Sequence, residues 1–347
     1  MIFDTHAHFY GETLFAHLAR RGTVPLVEHA GGRRFMVTPT SRFPLEGGFV
    51  SLAERLGWMD RQGIGRQLIT FPGALGPDVL PIGESLALVR DVNDELAATC
   101  AAHPDRFTAL AGLPMAEPDR AAAELERAVR GLGHVGAILP SNYFHSLAGV
   151  AALAPLLEAA EALGAHLMLH PGQRHDESLA PKAWPDLAMH RASTIELHAG
   201  ITHALISLLH SEAMARYPHI TWQVVNLGGT FPFVVERMDH IVATRDPAAP
   251  RPSAMLGEIV FDCASLGPRA LEMAVAVFGA ERVMFGTDYP IFTSDVSAQA
   301  LATARLTDAQ RALVGSGTAL ATLARNAGRR LNGPPAAAPT GGTAATG

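Results

Sequence analysis

Two histidines separated by one residue, His6 and His8 in Ile2-Phe3-Asp4-Thr5-His6-Ala7-His8-Phe9, sit at the end of the first apolar run of a 347-residue chain. Imidazole nitrogen is a metal ligand, and two imidazoles at the fraying end of a strand can converge on one ion. Two later apolar runs end on ligand types as well. One closes on His170, in Leu167-Met168-Leu169-His170-Pro171-Gly172, and the other on Asp288, in Phe285-Gly286-Thr287-Asp288-Tyr289-Pro290. Together the four residues His6, His8, His170 and Asp288 form a candidate set for a single metal ion.

Such a set works only if the fold brings three distant strand ends together. Short runs rich in Val, Ile, Phe and Leu alternate with longer helical patterns, the signature of repeated strand-helix units and a parallel sheet. Eight strands are expected, at about 2–8, 67–72, 107–113, 135–140, 166–170, 221–227, 258–263 and 282–287. Amphipathic stretches from Asp119 to Leu132 and from Val150 to Leu163 lie between them, the second stopped by Gly164. The predicted fold is α/β, a distorted (β/α)8 TIM barrel, with its active site at the C-terminal ends of the strands. An open doubly wound sheet is the rival. The barrel is preferred because it gathers all four candidate ligands on one face, and no Gly-x-Gly-x-x-Gly fingerprint follows the first strand.

Two segments are too long for ordinary strand-helix connections, residues 10–50 and 172–198, and each follows a ligand-bearing strand. They are expected to form lids or substrate walls. Residues 1–332 read as one domain. Residues 333–347 hold Pro, Ala, Gly and Thr but no core-forming side chain, and read as a disordered tail.

Composition narrows the function classes. With 48% hydrophobic and 17% charged residues the chain suits a compact core, and a net charge of −6 without a basic stripe argues against nucleic acid or an anionic membrane as partner. No run of 18 apolar residues and no signal-like N-terminus is present, and the two cysteines, Cys100 and Cys263, have no C-x-x-C neighbour. A cytoplasmic enzyme acting on a small molecule is expected.

The chain resembles the aminocarboxymuconate-semialdehyde decarboxylase-like branch of the amidohydrolase superfamily, a branch that also holds aromatic acid decarboxylases. The resemblance runs from Asp4-Thr5-His6-Ala7-His8 through Asn93-Asp94-Glu95, His103-Pro104-Asp105-Arg106-Phe107, Ala123-Glu124-Leu125, His170-Pro171, Gly228-Gly229-Thr230-Phe231-Pro232 and Gly286-Thr287-Asp288-Tyr289-Pro290 to Ala324-Arg325-Asn326-Ala327. It implies a distorted barrel with one divalent metal on His6, His8, His170 and Asp288. Three imidazoles and one carboxylate suit zinc best, with manganese or cobalt tolerated. A second metal would need a carboxylated lysine at strand four. Gly136-Ala137-Ile138-Leu139-Pro140 has none, and the chain's single lysine, Lys182, lies in another loop.

One position departs from the branch. After strand six the resemblance calls for a histidine before a glycine pair, and Val224-Val225-Asn226-Leu227-Gly228-Gly229 has Asn226 there. An amide cannot act as a general acid or base near neutrality. Three accounts stand open: Asp288 both touches the metal and moves the proton while Asn226 orients water or substrate; a histidine from the long segment after strand five, His175 or His198, takes the vacancy; or the reaction is a different one. Arg33, Arg34 and Arg42 are the candidates to hold a substrate carboxylate, because a guanidinium pairs with it in two parallel hydrogen bonds. Trp184 is a candidate aromatic wall. The implied activity is decarboxylation of a small unsaturated or aromatic carboxylic acid; hydrolysis of a lactone, ester or amide and a non-catalytic metabolite-binding role are the alternatives. The resemblance further implies a homodimer.

Overall fold

Each apolar run between glycine- or proline-marked turns pairs with the next run along the chain. In the computed structural model, which describes residues 1–39, 41–180 and 186–332, this gives one eight-stranded sheet and one small one. The large sheet takes β1 (Ile2–His8), β5 (Ile64–Thr70), β6 (Phe107–Ala111), β7 (Gly136–Pro140), β8 (His166–His170), β9 (Thr221–Val224), β10 (Ile259–Asp262) and β11 (Val283–Met284) in that order. Every adjacent pair is parallel. β6 to β11 are buried along their whole length, as strands covered on both faces must be, which is why they read as continuous apolar runs.

The last strand returns to the first. Thr5 N–H donates to Phe285 O at 2.8 Å, Asp288 N–H to His6 O at 2.7 Å and His8 N–H to Tyr289 O at 2.7 Å. These bonds close the sheet into the expected distorted (β/α)8 barrel, and they carry Asp288 alongside His6 and His8. All eight expected strands are present, several of them shorter than the apolar runs suggest and the sixth and eighth most of all. Past Val224 the chain turns into left-handed backbone at Asn226, Leu227, Gly228 and Gly229 (φ 50°, 55°, 73° and 69°), and no strand continues through that conformation.

Helices cover the outside of the barrel. The pattern from Val150 to Leu163 falls on two helices, Leu147–Ala152 and Ala154–Leu163, because Pro155 lacks the N–H that an unbroken helix would need. Gly164 ends the second at φ 53°. The first long segment folds into a helix, Glu12–Leu18, and an antiparallel sheet of β2 (Leu26–Ala30), β3 (Arg33–Val37) and β4 (Arg42–Pro44). The second is helical from Ala188 onward, through Arg191–Glu196 into the helix Leu197–His210. Exposed Met189 and Ile195 break the apolar periodicity there, so the helical turns are not readable from the pattern. Lys182, Trp184 and the tail from residue 333 lie outside the described residues. Among the described residues no helix is long and apolar enough to cross a membrane.

One acid in the barrel wall is unusual. Asp78 follows β5 in the loop that also carries Pro72, Ala74 and Leu75; it is fully buried, and no side chain among the described residues pairs with its carboxylate. Burial, only partly offset by its own and Val79's backbone N–H, pushes its pKa up to about 8. The folded state therefore keeps a proton that an unfolded carboxyl gives up near pH 4. This contribution is fully present below about pH 4 and is lost as pH rises to about 8, at roughly 1 kcal/mol per pH unit. Asp78→Asn cannot ionise, so its melting temperature falls less than the wild type's between pH 5 and pH 8. Parallel thermal melts check this, and equal losses would refute it.

Candidate metal centre

The C-terminal ends of β1, β8 and β11 bring His6, His8, His170 and Asp288 together, with one potential ligand atom from each lying within 4.8 Å of all the others. The three imidazole rings stand nearly edge to face, with centroids 4.7–5.2 Å apart. Each ring commits the same nitrogen elsewhere. His6 Nδ1 lies 2.9 Å from Asp262 Oδ1, His8 Nδ1 2.8 Å from Thr70 Oγ1, and His170 Nδ1 3.0 Å from Pro171 O. With Nδ1–H as donor in all three, the neutral form of each ring has its lone pair on Nε2, and His6, which its carboxylates hold protonated near neutrality, would release that proton to an ion. Outer partners of this kind fix ligand tautomers in metal sites.

Two atoms of the cluster are buried without a hydrogen-bond partner, His6 Nε2 and Asp288 Oδ1. Asp288 Oδ1 lies 3.1 Å from His8 Nε2 and 3.7 Å from His6 Nε2, close enough to share an ion but without hydrogen-bond geometry between them. Two orphaned ligand atoms aimed at one another are what a bound cation resolves, so the residues present fit a divalent ion.

The surrounding charge agrees. Asp4, Asp262 and Asp288 put three carboxylates around the cluster, faced by one buried guanidinium, that of Arg55. Arg55 donates to Gln67 Oε1 at 3.0 Å and to His8 O, and packs over the Tyr289 ring; burial lowers its pKa to about 10. Asp4 accepts from His6 N and Thr287 N, both at 3.1 Å, from Gln67 Nε2 at 2.8 Å and from Thr287 Oγ1 at 2.6 Å. Its pKa still rises to about 6, since burial outweighs those bonds. Burial also opposes protonation of His6, but Asp262, Asp288 and Asp4 overcome it and lift His6 to about 9; burial holds His8 low and His170 well below the usual range. The centre attracts positive charge while two of its imidazoles stay neutral, as metal ligands must.

The cluster opens into a cavity of about 500 Å³. The first long segment lines it with Tyr10, Thr38, Ser41, Phe43 and Phe49, the second with Ser193, Leu197 and His198, and Asn226, Ser265, Ile291 and Phe292 complete the wall. Tyr10, Phe43 and Phe49 form a contiguous aromatic face with centroids 5.0–6.5 Å apart. Both long segments are therefore walls of the cavity, as their length implies.

The other expected residues are distributed unevenly. Asn226 is buried in the cavity wall; its Nδ2 donates to Ala264 O at 3.0 Å and its N–H to Asp262 Oδ1 at 3.3 Å. His198 lines the cavity, whereas His175 is stacked on Tyr143 and bonded to its Oη at 2.8 Å, outside the lining. The three arginines do not reach it. Arg33, Arg34 and Arg42 pair with Glu46, Glu12 and Glu28, and strand alternation turns Arg42 onto the Phe35 ring while Ser41 and Phe43 face the cavity. Asp4, Thr70, Asp262 and Gln223 orient the ligands, a role that, Asp262 apart, neither their residue types nor their spacing signals. Gln223 Nε2 donates to Asp262 Oδ2 at 2.7 Å. An acid closing an otherwise apolar strand, as in Ile259-Val260-Phe261-Asp262, is the signal that could have found Asp262.

The glycine pair after Asn226 has a local cause. A Cβ on Gly229 would lie 2.2 Å from His198 O and 2.7 Å from Thr202 Oγ1, and the residue is held at φ 69°. Gly229→Ala combines the cost of a backbone conformation that L residues rarely adopt (φ 69°, ψ −121°), about 1–3 kcal/mol, with displacement of the helix that bears His198. A lower melting temperature and impaired turnover are the expected results, by calorimetry and steady-state assay.

Comparison with known proteins places the geometry in context. Residues 3–325 match a family model described as amidohydrolase. The 2-amino-3-carboxymuconate-6-semialdehyde decarboxylase of Dictyostelium discoideum is 28% identical over 215 residues, 60% of this chain and 57% of that protein, so the chain spans little more than half of that relative's length. Gamma-resorcylate decarboxylase of a Rhizobium species is 26% identical over 281 residues, 75% of this chain and 83% of the relative. A solved dihydroxybenzoic acid decarboxylase from a Polaromonas species, with bound manganese and the inhibitor 2-nitroresorcinol, superposes with a TM-score of 0.71 at 22% identity, over 94% of this chain and 97% of that one.

Proposed function

The chain belongs to the amidohydrolase family, and from that premise we propose that it is a decarboxylase that removes carbon dioxide from a small hydroxyaromatic carboxylic acid, using one divalent metal ion held by His6, His8, His170 and Asp288. The single observation that carries the reading is the shared tautomer: three rings spend Nδ1 on outer partners and leave three Nε2 atoms facing one carboxylate. The relatives named above are decarboxylases and support the choice of reaction. Three nitrogens and one oxygen suit zinc, and the bound manganese of the solved relative makes manganese the competing choice.

When bound, the ion supplies positive charge against which substrate oxygens are oriented and polarised. The protein's residues do the rest. The Tyr10, Phe43 and Phe49 face takes an aromatic ring, and Thr38, Ser41, Ser193 and Ser265 offer hydroxyls to its polar substituents. In its protonated form Asp288 gives its proton to the ring carbon that bears the carboxylate. The carbon–carbon bond then breaks, its electron pair restores the ring, and carbon dioxide leaves. Overall, one carboxylate and one proton become one arene and one carbon dioxide. Among the described residues no arginine or lysine lines the cavity, which favours a substrate with a single carboxylate over a dicarboxylic acid.

Carbon dioxide release from carboxyl-labelled 2,6-dihydroxybenzoate tests the reading, with a phenyl ester and an aromatic lactone in parallel. Labelled carbon dioxide with no turnover of the neutral substrates is expected. Acid release from the ester or lactone without carbon dioxide would replace the lyase by a hydrolase, and full metal loading with no turnover of any probe would point to a binding protein.

A further inference from the structure

Resting on that reading, we propose that His198 does the proton-transfer work that Asn226 cannot. Asn226 sits between Asp262 and Ala264 with its amide already committed as a donor, so the cavity has lost its basic group at this wall. The helix Leu197–His210 begins directly over the same turn. Thr202 Oγ1 lies 2.9 Å from Thr230 Oγ1 and accepts from Thr230 N at 2.8 Å, and Gly229 is packed so tightly under His198 O that no side chain fits between. The turn that displays Asn226 and the helix that displays His198 are thus one packed unit. Both residues line the cavity that holds His170 and Asp288.

The His198 ring is also set up for the task. Its Nδ1 lies 2.6 Å from Thr194 O, an acceptor, so Nδ1 carries the hydrogen and Nε2 carries the lone pair. A histidine making only this i−4 backbone bond would ordinarily leave Nε2 to water. Here Nε2 is buried and has no partner among the described residues. A buried acceptor without a donor costs stability, and a small turn of the ring toward the cavity it lines brings Nε2 to a substrate hydroxyl, a donor of the right kind. His175, the other candidate, already has a partner in Tyr143.

In the proposed step His198 Nε2 takes the proton of the substrate hydroxyl ortho to the carboxylate, and the resulting phenolate raises electron density on the carboxylate-bearing carbon. Asp288 protonates that carbon and carbon dioxide departs. The phenolate then recovers its proton from the His198 imidazolium, and Asp288 is reprotonated by solvent. One proton is consumed in all.

The test compares wild type, His198→Gln, Asn226→His and the double variant on 2,6-dihydroxybenzoate, with metal content as the check on folding. His198→Gln should lower kcat by about 10²-fold or more at unchanged metal content. Asn226→His should restore at least part of that loss in the His198→Gln background and add little to wild type. Wild-type turnover in His198→Gln, or the same effect of Asn226→His in both backgrounds, overturns the proposal and leaves the decarboxylase reading standing. If wild type releases no carbon dioxide, that reading fails instead, and His198 is judged by nitrogen-15 spectra of histidine-labelled protein. A Nδ1–H ring whose Nε2 resonance moves on addition of 2-nitroresorcinol supports the role; a Nε2–H tautomer, or a resonance unmoved by the ligand, overturns it.

Discussion

Asp288→Asn should retain the fold and lose turnover by about 10³-fold or more, since it removes both an anionic ligand and the group assigned to move the proton. The backbone at residue 288 is held independently of the side chain, at φ 62° with its N–H on His6 O at 2.7 Å, so an isosteric amide fits the same place. An amide oxygen can still approach an ion, but it brings no charge and accepts no proton near neutrality. Metal affinity should weaken while the melting temperature of the metal-free protein changes little. Activity, metal content and calorimetry on one preparation separate these effects, and wild-type turnover in the variant would remove Asp288 from the chemistry.

The second large effect lies in the contrast between two ligands. His170→Ala should abolish metal binding and turnover with a modest loss of stability, because its Nδ1 bonds only to the carbonyl of the next residue. His6→Ala should abolish both and also destabilise the barrel by about 3–5 kcal/mol, because it strips the buried Asp262 carboxylate of its imidazole partner. Asp262 keeps bonds from Gln223, Asn226 and Ala264, but none of these donors can carry charge. Denaturant unfolding of the two metal-free variants measures the difference. Equal stabilities would mean that the His6 and Asp262 pair does not contribute as its burial suggests.

The strands and the four-residue cluster were legible because both are local. A fully buried parallel strand is a continuous apolar run, and a ligand at its C-terminal end is a polar residue where the run stops, as at His8 and His170. The support around them was not legible, because Asp4, Gln67 and Gln223 are single polar residues inside strands whose partners lie on other strands. Nor was the burial of Asp78, which depends on a loop folding back on itself. The arginines illustrate the opposite failure. Charge and loop position drew attention to Arg33, Arg34 and Arg42, yet ion pairs with Glu46, Glu12 and Glu28 hold all three away from the cavity lining. His198 and His175 could not be ranked from sequence, since the packing of one on the Gly229 turn and the pairing of the other with Tyr143 are both long-range contacts.

The most direct measurement is a titration of metal-free protein with zinc and, separately, manganese, following turnover of 2,6-dihydroxybenzoate against equivalents added. The account predicts no activity without metal and a linear rise that breaks at one ion per chain, absent in His170→Ala. A break at two ions, or full activity in metal-free protein, would contradict a single-ion centre built from His6, His8, His170 and Asp288.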